Sequence, residues 1–304
     1  CWTQRRYPQR CAQIVLKILS AESFSSRKRF GSSLVLAFSV GLLVACSTNQ
    51  FVLVKSENVD ERVKYIVLHY TSENFEDSLR LLTQRSSYPV SAHYLIPERE
   101  DATYPLSELR IYQLVEEEDR AWHAGRSNWL GQKDLNNTSI GIELVNLSGC
   151  SKSVEFLGNS RDFYTSCDFR EFDSDQVQLL IELLRGLLKR YPNIKPINIV
   201  GHSDIAPNRK TDPGPTFPWR KLYEEGFGIW YEKSDYEFFF QEFAVSRPST
   251  LEIQKTLSEL GYGIDVSGEE DLDSQLAVRA FQMRFLNGSY SGFLDPETVA
   301  IIYA

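Results

Sequence analysis

Two short apolar runs, each closed by a histidine, constrain this chain more than any other feature. Lys64-Tyr65-Ile66-Val67-Leu68-His69 and Ile197-Asn198-Ile199-Val200-Gly201-His202 have the length and β-branched character of buried strands. Each histidine sits where a strand gives way to turn residues, so the two can meet if their strands are neighbours in one sheet. The second run opens onto a loop containing Asp212-Pro213-Gly214-Pro215, in which proline and glycine fix the backbone and withhold amide donors. A loop this stiff can aim the carboxylate of Asp212. Two imidazoles and a carboxylate converging on one point suit zinc, which in catalytic sites takes three protein ligands and keeps a fourth position for water. Any single histidine is equally readable as a satisfied core residue. The chain, however, has only four, His69, His93, His123 and His202, all between residues 60 and 220, and that clustering favours a site.

The surrounding sequence supplies a sheet and its cover. Further strands are expected at Ala92–Ile96, Ile111–Val115 and Ile140–Val145. A helix over 72–86 would be capped by Ser72 and would place Phe75, Leu79 and Leu82 on one face. The clearest helix spans 173–191: Val177, Leu180, Ile181, Leu184, Leu187, Leu188 and Tyr191 follow the 3.6-residue period, Ser174 can cap its start and Pro192 marks its end. Strands interleaved with helices predict the α/β class, a mixed central sheet covered by helices. From 236 to 248 aromatic and polar residues alternate irregularly, and the stretch reads as a linker ending at Arg247-Pro248-Ser249. Residues 249–304 then hold three helix-like stretches, Thr250–Leu260, Asp273–Leu286 and Pro296–Tyr303, a small C-terminal helical domain.

The N-terminal 45 residues read differently. The first residue is cysteine and the only methionine is Met283, so residues 1 to about 26 are expected to lie upstream of the natural start. Arg27-Lys28-Arg29 then precedes an apolar run, Leu34–Ala45, shorter than the roughly 18 to 20 residues of a spanning helix, which makes it a signal peptide. It ends in Leu43-Val44-Ala45-Cys46, which resembles a bacterial lipobox and marks Cys46 as the lipid-attachment residue. Acyl chains there would stabilise membrane attachment by about 0.8 kcal/mol per buried CH₂. Ser47, rather than aspartate, points to the outer membrane, and residues 46–235 become the catalytic domain. A plain cleaved leader or a short membrane anchor is the competing reading. Removing residues 1–45 takes away seven basic residues and one acid from totals of 33 and 41, leaving 26 and 40 and a formal charge of −14. Such a chain is a poor partner for nucleic acid or an anionic membrane surface. Beyond Cys46 the remaining cysteines, Cys150 and Cys167, bracket a polar insertion and are candidates for a disulfide in an oxidising compartment; spacing alone leaves two free thiols open.

Six ordered blocks carry a family resemblance: Val67-Leu68-His69, Ser91-Ala92-His93-Tyr94, Arg120-Ala121-Trp122-His123-Ala124-Gly125, Ser139-Ile140-Gly141-Ile142-Glu143-Leu144, Gly201-His202-Ser203-Asp204-Ile205-Ala206-Pro207 and Arg209-Lys210-Thr211-Asp212-Pro213-Gly214. Together they resemble the zinc-dependent N-acetylmuramoyl-L-alanine amidases of the amidase-2 and peptidoglycan-recognition-protein superfamily, in particular its lipoprotein branch. Ala277-Val278-Arg279-Ala280-Phe281-Gln282 and Gly261-Tyr262 resemble a three-helix peptidoglycan-binding domain; a purely structural helical cap is the other reading.

The resemblance implies one zinc ion per chain, peptidoglycan and muropeptides as partners, and cleavage between the lactyl group of N-acetylmuramic acid and L-alanine in the periplasm. It also matches Glu143 to a general base. In a strand, Glu143 alternates with Ile140, Ile142 and Leu144 and points away from them. Lys210, two residues before Asp212, is placed to steady a developing oxyanion. Trp122 and His123 look like a wall of the substrate groove, and His93 looks structural. Because every such residue precedes 220, the C-terminal domain is expected to add affinity for polymeric wall without entering the chemistry. The rival readings are a recognition lipoprotein that binds without cleaving and an inert tether. Composition and spacing by themselves reach only a metal-assisted hydrolase.

Overall fold

The computed structural model describes residues 52–150, 167–286, 288 and 290–304. Cys46, the leader and the centre of the insertion between Cys150 and Cys167 lie outside the described residues. From Asn58 to Ala304 the chain is one compact unit.

In chain order the elements are β1 (Tyr65–Tyr70), α1 (Phe75–Thr83), β2 (Tyr94–Ile96), β3 (Tyr112–Gln113), β4 (Asn128–Trp129), β5 (Gln132–Lys133), β6 (Ser139–Leu144), β7 (Gly149–Cys150) and β8 (Cys167–Asp168). There follow α2 (Ser174–Arg190), β9 (Ile199–Gly201), α3 (His202–Ile205), α4 (Trp219–Glu224), α5 (Lys233–Val245), α6 (Thr250–Leu260), α7 (Leu272–Phe285) and α8 (Pro296–Tyr303). The central sheet has the order β3-β2-β6-β1-β9. Its β2, β6, β1 and β9 run parallel, and β3 closes one edge antiparallel. It is the mixed sheet expected of the sequence.

Both faces of this sheet are buried, which is why β1 reads as an unbroken apolar run rather than an alternation. Ile66 and Leu68 of β1 join Ile140, Ile142 and Leu144 of β6 in a core with Leu180, Leu184 and Leu187 of α2. On the other face Tyr65 and Val67 of β1 and Val200 of β9 belong to a core shared with Ile253, Leu257, Phe281 and Phe285 of the C-terminal helices. The C-terminal module therefore continues the core of the sheet domain. Trp129 ties the two, since its ring meets Tyr262 edge-on with centroids 5.1 Å apart and its indole N–H donates to the Ile197 carbonyl at 3.0 Å.

Local signals explain most boundaries, with shifts at the caps. Ser72 has φ of 59° and belongs to the turn; the residue capping α1 is Asn74, whose Oδ1 accepts from the Asp77 amide at 2.9 Å. Likewise Asp173 rather than Ser174 caps α2, accepting from the Asp175 amide at 2.8 Å. The segment 236–248, read as a linker, is largely the helix α5. Phe239 and Phe243 of that helix pack on Tyr303 of α8 with centroids 5.8 and 4.9 Å apart. These contacts are distant in sequence, so no local pattern announces them. Cys150 and Cys167 face each other across the β7–β8 pair and are joined by a disulfide.

Candidate metal centre

The parallel pairing of β1 with β9 brings their C-terminal ends together, and with them His69 and His202. The loop after α3 returns through a turn, where the Arg209 and Lys210 amides both donate to the Ala206 carbonyl. It delivers Asp212, whose own carbonyl accepts from the Ser203 amide at 2.7 Å. Gly201 permits this return, because a Cβ there would lie 2.6 Å from Pro213 Cδ. As a result Nδ1 of His69, Nδ1 of His202 and Oδ2 of Asp212 lie 2.8 to 3.0 Å from one another. All three side chains are buried.

The hydrogen bonds behind this triangle assign the protons. The Ser139 hydroxyl donates to the Leu135 carbonyl at 2.6 Å and so accepts from His123 Nε2 at 3.1 Å. His123 Nδ1 is then an acceptor, and His69 Nε2 donates to it across 3.0 Å. On the other histidine, Nε2 donates to the Ala124 carbonyl at 3.2 Å, and Arg209 Nη2, 3.3 Å from the same nitrogen, donates instead to the Ala124 and Arg126 carbonyls. Both Nδ1 atoms are left with lone pairs facing the carboxylate. Burial lowers His202 to about 4, so it stays neutral. Three buried electron-pair donors with a net negative charge in the wall of a cleft fit a cation such as zinc.

Glu143 stands beside this triangle as the register partner of His69 on the neighbouring strand, on the face opposite Ile140, Ile142 and Leu144. Burial pushes its carboxyl up to about 7, and its Oε2 is buried with no hydrogen-bond partner among the described residues. Glu143 and Lys210 line the same cleft of about 850 Å³ as His69, His202 and Asp212. The β7–β8 hairpin forms part of its rim, with Cys150 Sγ 3.8 Å from the Thr211 hydroxyl.

Trp122 and His123 part company. Trp122 is 49 % exposed at the cleft edge, an aromatic face available to a ligand. His123 is 8 % exposed, and with both ring nitrogens engaged it suits holding His69 better than touching a sugar. Burial and the neighbouring His69 depress its pKa well below the ordinary value. His93 accepts from the Gly141 amide at 3.0 Å through Nδ1 and donates to the Asp119 carbonyl at 3.2 Å, a structural placement. Sequence reasoning missed Ser139 and Asn136, which anchor the Trp-His-Ala-Gly block; Asn136 Oδ1 accepts from the amides of His123 and Ala124 at 3.1 and 2.7 Å. Polar residues so placed carry no periodic signature.

Gly141 is fixed by this packing, since a Cβ on it would lie 2.3 Å from His123 Cγ. Gly141→Ala is expected to cost about 1 to 3 kcal/mol of stability through overpacking, measurable as a lowered urea midpoint with an unchanged slope. An unaltered midpoint would show that the His123 ring is free to move aside.

Comparison with known proteins identifies the family. The N-acetylmuramoyl-L-alanine amidase family model matches residues 59–215 and a peptidoglycan-binding domain model matches residues 246–302. The N-acetylmuramoyl-L-alanine amidase AmiD of Escherichia coli (strain K12) is 40% identical over 250 residues, covering 80% of this chain and 82% of that protein. The structure of AmpDh3 from Pseudomonas aeruginosa in complex with anhydromuramic pentapeptide superposes with a TM-score of 0.74 at 38% identity, over 86% of this chain and 97% of that one. The complex of Escherichia coli AmiD with anhydro-N-acetylmuramic acid-L-Ala-D-gamma-Glu-L-Lys gives a TM-score of 0.66 at 37% identity, over 82% of this chain and 90% of that one. A family match over half the chain, joined to a relative aligned along most of its length, places this chain in the N-acetylmuramoyl-L-alanine amidase family.

Proposed function

We infer that the chain hydrolyses the amide bond between N-acetylmuramic acid and L-alanine of the peptidoglycan stem peptide, in cell-wall turnover. The observation that carries this reading is the buried His69–His202–Asp212 triangle with Glu143 in register beside it. Its substrate follows from the amidase relatives, two of which have been seen with anhydromuramyl peptides bound.

His69, His202 and Asp212 would hold a zinc ion, which when bound acidifies a water toward neutrality and polarises the substrate carbonyl. Glu143 takes the proton of the attacking water and passes it to the amide nitrogen that leaves as the new amino terminus of L-alanine. The Lys210 ammonium, carried on the same loop as Asp212, offsets the negative charge that develops on the carbonyl oxygen. His123 and Ser139 hold the His69 ring and its tautomer. Trp122 offers its exposed ring to the sugar or peptide at the rim. The C-terminal module adds affinity for polymeric wall, and Cys46 anchors the chain by lipid to the outer membrane, facing the periplasm; the lipobox-like sequence supports the anchor.

Dialysis against a chelator is expected to abolish release of L-alanine-terminated peptides from purified muropeptides, with far-UV circular dichroism unchanged and activity restored by zinc. The two cores of the sheet bury their apolar residues without the site. Loss of secondary structure on chelation would make the metal a structural one. Zinc-loaded protein that releases no such peptide would overturn the amidase reading.

A further inference from the structure

We infer that the C-terminal module is part of the support of the metal centre, with Tyr262 and Arg284 positioning His202 through Asp204. The inference rests on the metal-site reading above and deepens it.

Asp204 is the third residue of the short helix α3 that His202 begins. It is fully buried, and its Oδ2 accepts from the Gly201 amide at 2.8 Å, closing the turn from which His202 departs. This is one of two ties flanking the histidine, the other being the bond from the Ser203 amide to the Asp212 carbonyl. A buried carboxylate needs a counter-charge. Among the described residues the cation paired with Asp204 is Arg284 of α7, whose Nη1 donates to Oδ2 at 2.6 Å. Tyr262, just beyond α6, donates its hydroxyl to Oδ1 at 2.8 Å.

The guanidinium does more than neutralise. Its Nη2 donates to the Ile199 carbonyl at 3.1 Å, where β9 starts, and its plane lies over Trp219, 4.0 Å from the ring centroid. Arg284 thus spans β9 from its first residue to the helix at its end and presses on the first residue of α4, beyond the loop that delivers Asp212. Both Arg284 and Tyr262 are buried. Neither side chain lines the catalytic cleft, so any effect on chemistry is indirect, through the segments that carry His202 and Asp212. Outer partners of metal ligands typically change metal affinity or activity by about 10 to 100-fold when removed.

The test titrates full-length protein with zinc against a chromophoric chelator and records the visible absorption of the cobalt-substituted form. Tyr262→Phe and Arg284→Met are expected to weaken zinc binding about 10 to 100-fold and to shift the cobalt bands, and Arg284→Lys to recover part of the affinity. The control is Gln254→Ala. Gln254 donates to Glu269 O and Ser274 Oγ and accepts from the Gly268 amide, all within the module. Its loss should lower thermal stability and leave zinc affinity at the wild-type level.

Wild-type zinc affinity in folded Tyr262→Phe and Arg284→Met would overturn the inference, as would an equal loss in Gln254→Ala, which would mean general loosening. Should Arg284→Met fail to fold, Tyr262→Phe, which removes only a hydroxyl, decides alone. Failure of the wild-type protein to bind zinc stoichiometrically would instead overturn the metal-site reading, and it is seen before any variant is made.

Discussion

Glu143→Gln is expected to lower kcat by about 10² to 10⁴-fold while zinc content stays that of the wild type. The substitution keeps the shape of the side chain and removes only its capacity to take a proton. Glu143 is not one of the three converging ligands, so the metal has no reason to leave. Its carboxyl is poised for the task, since burial raises it to about 7 and a base works best when its pKa lies near the operating pH. Lys210→Met is expected to cost about 10² to 10³-fold by removing a charge that acts on the same transition state. The double variant should then fall by less than the product of the two losses, because the groups serve one step. Near wild-type turnover in a fully zinc-loaded Glu143→Gln enzyme would transfer the base role to another group.

His202→Ala should abolish both zinc retention and peptide release. Removing one of three donors leaves His69 Nδ1 and Asp212 Oδ2 as a two-point site, short of the three protein ligands that catalytic zinc normally has. Metal analysis after dialysis, set beside release of L-alanine-terminated peptides, checks the result. Stoichiometric zinc in the dialysed variant would place the ion elsewhere. The contrast between the two variants is informative in itself, one separating turnover from metal content and the other losing both.

The helix α2 was legible because its apolar residues repeat at the helical period, β1 and β9 because they read as short apolar runs, and α6, α7 and α8 because glycine-bearing turns separate them. Ser249, read from the sequence only as the end of a linker, caps α6, its amide donating to Glu252 Oε2 at 2.8 Å. The converging donors were legible for another reason, since histidines at strand ends and a carboxylate in a stiff loop are restricted in where they can point. The helix α5 was not. Its aromatic residues surround the axis, and Phe238 and Phe240 remain 60 % and 41 % exposed, so no stripe betrays which side is buried. His123 was assigned to the substrate wall together with Trp122; both line the cleft, but only Trp122 is exposed, while the His123 ring is held by His69 and Ser139. Asp204, Tyr262 and Arg284 escaped notice because their pairing joins residues 58 and 80 positions apart. An arginine between Met283 and Phe285 looks like an ordinary surface position of a helix until its partner is known.

The core shared between the sheet and the C-terminal helices sets an order of events during synthesis. A chain made from its amino terminus exposes Tyr65, Val67 and Val200 long before Ile253, Phe281 and Ile302, their companions in that core, exist. Contacts this distant in sequence cannot reward the chain until the intervening loops close. The second face of the sheet is finished only by residues from Ile253 onward, and the Arg284 counter-charge of Asp204 arrives with them. A nascent chain halted before α7 would therefore carry all three converging donors without the elements that cover the face behind them. A stop before α7 would be felt at the centre of the fold.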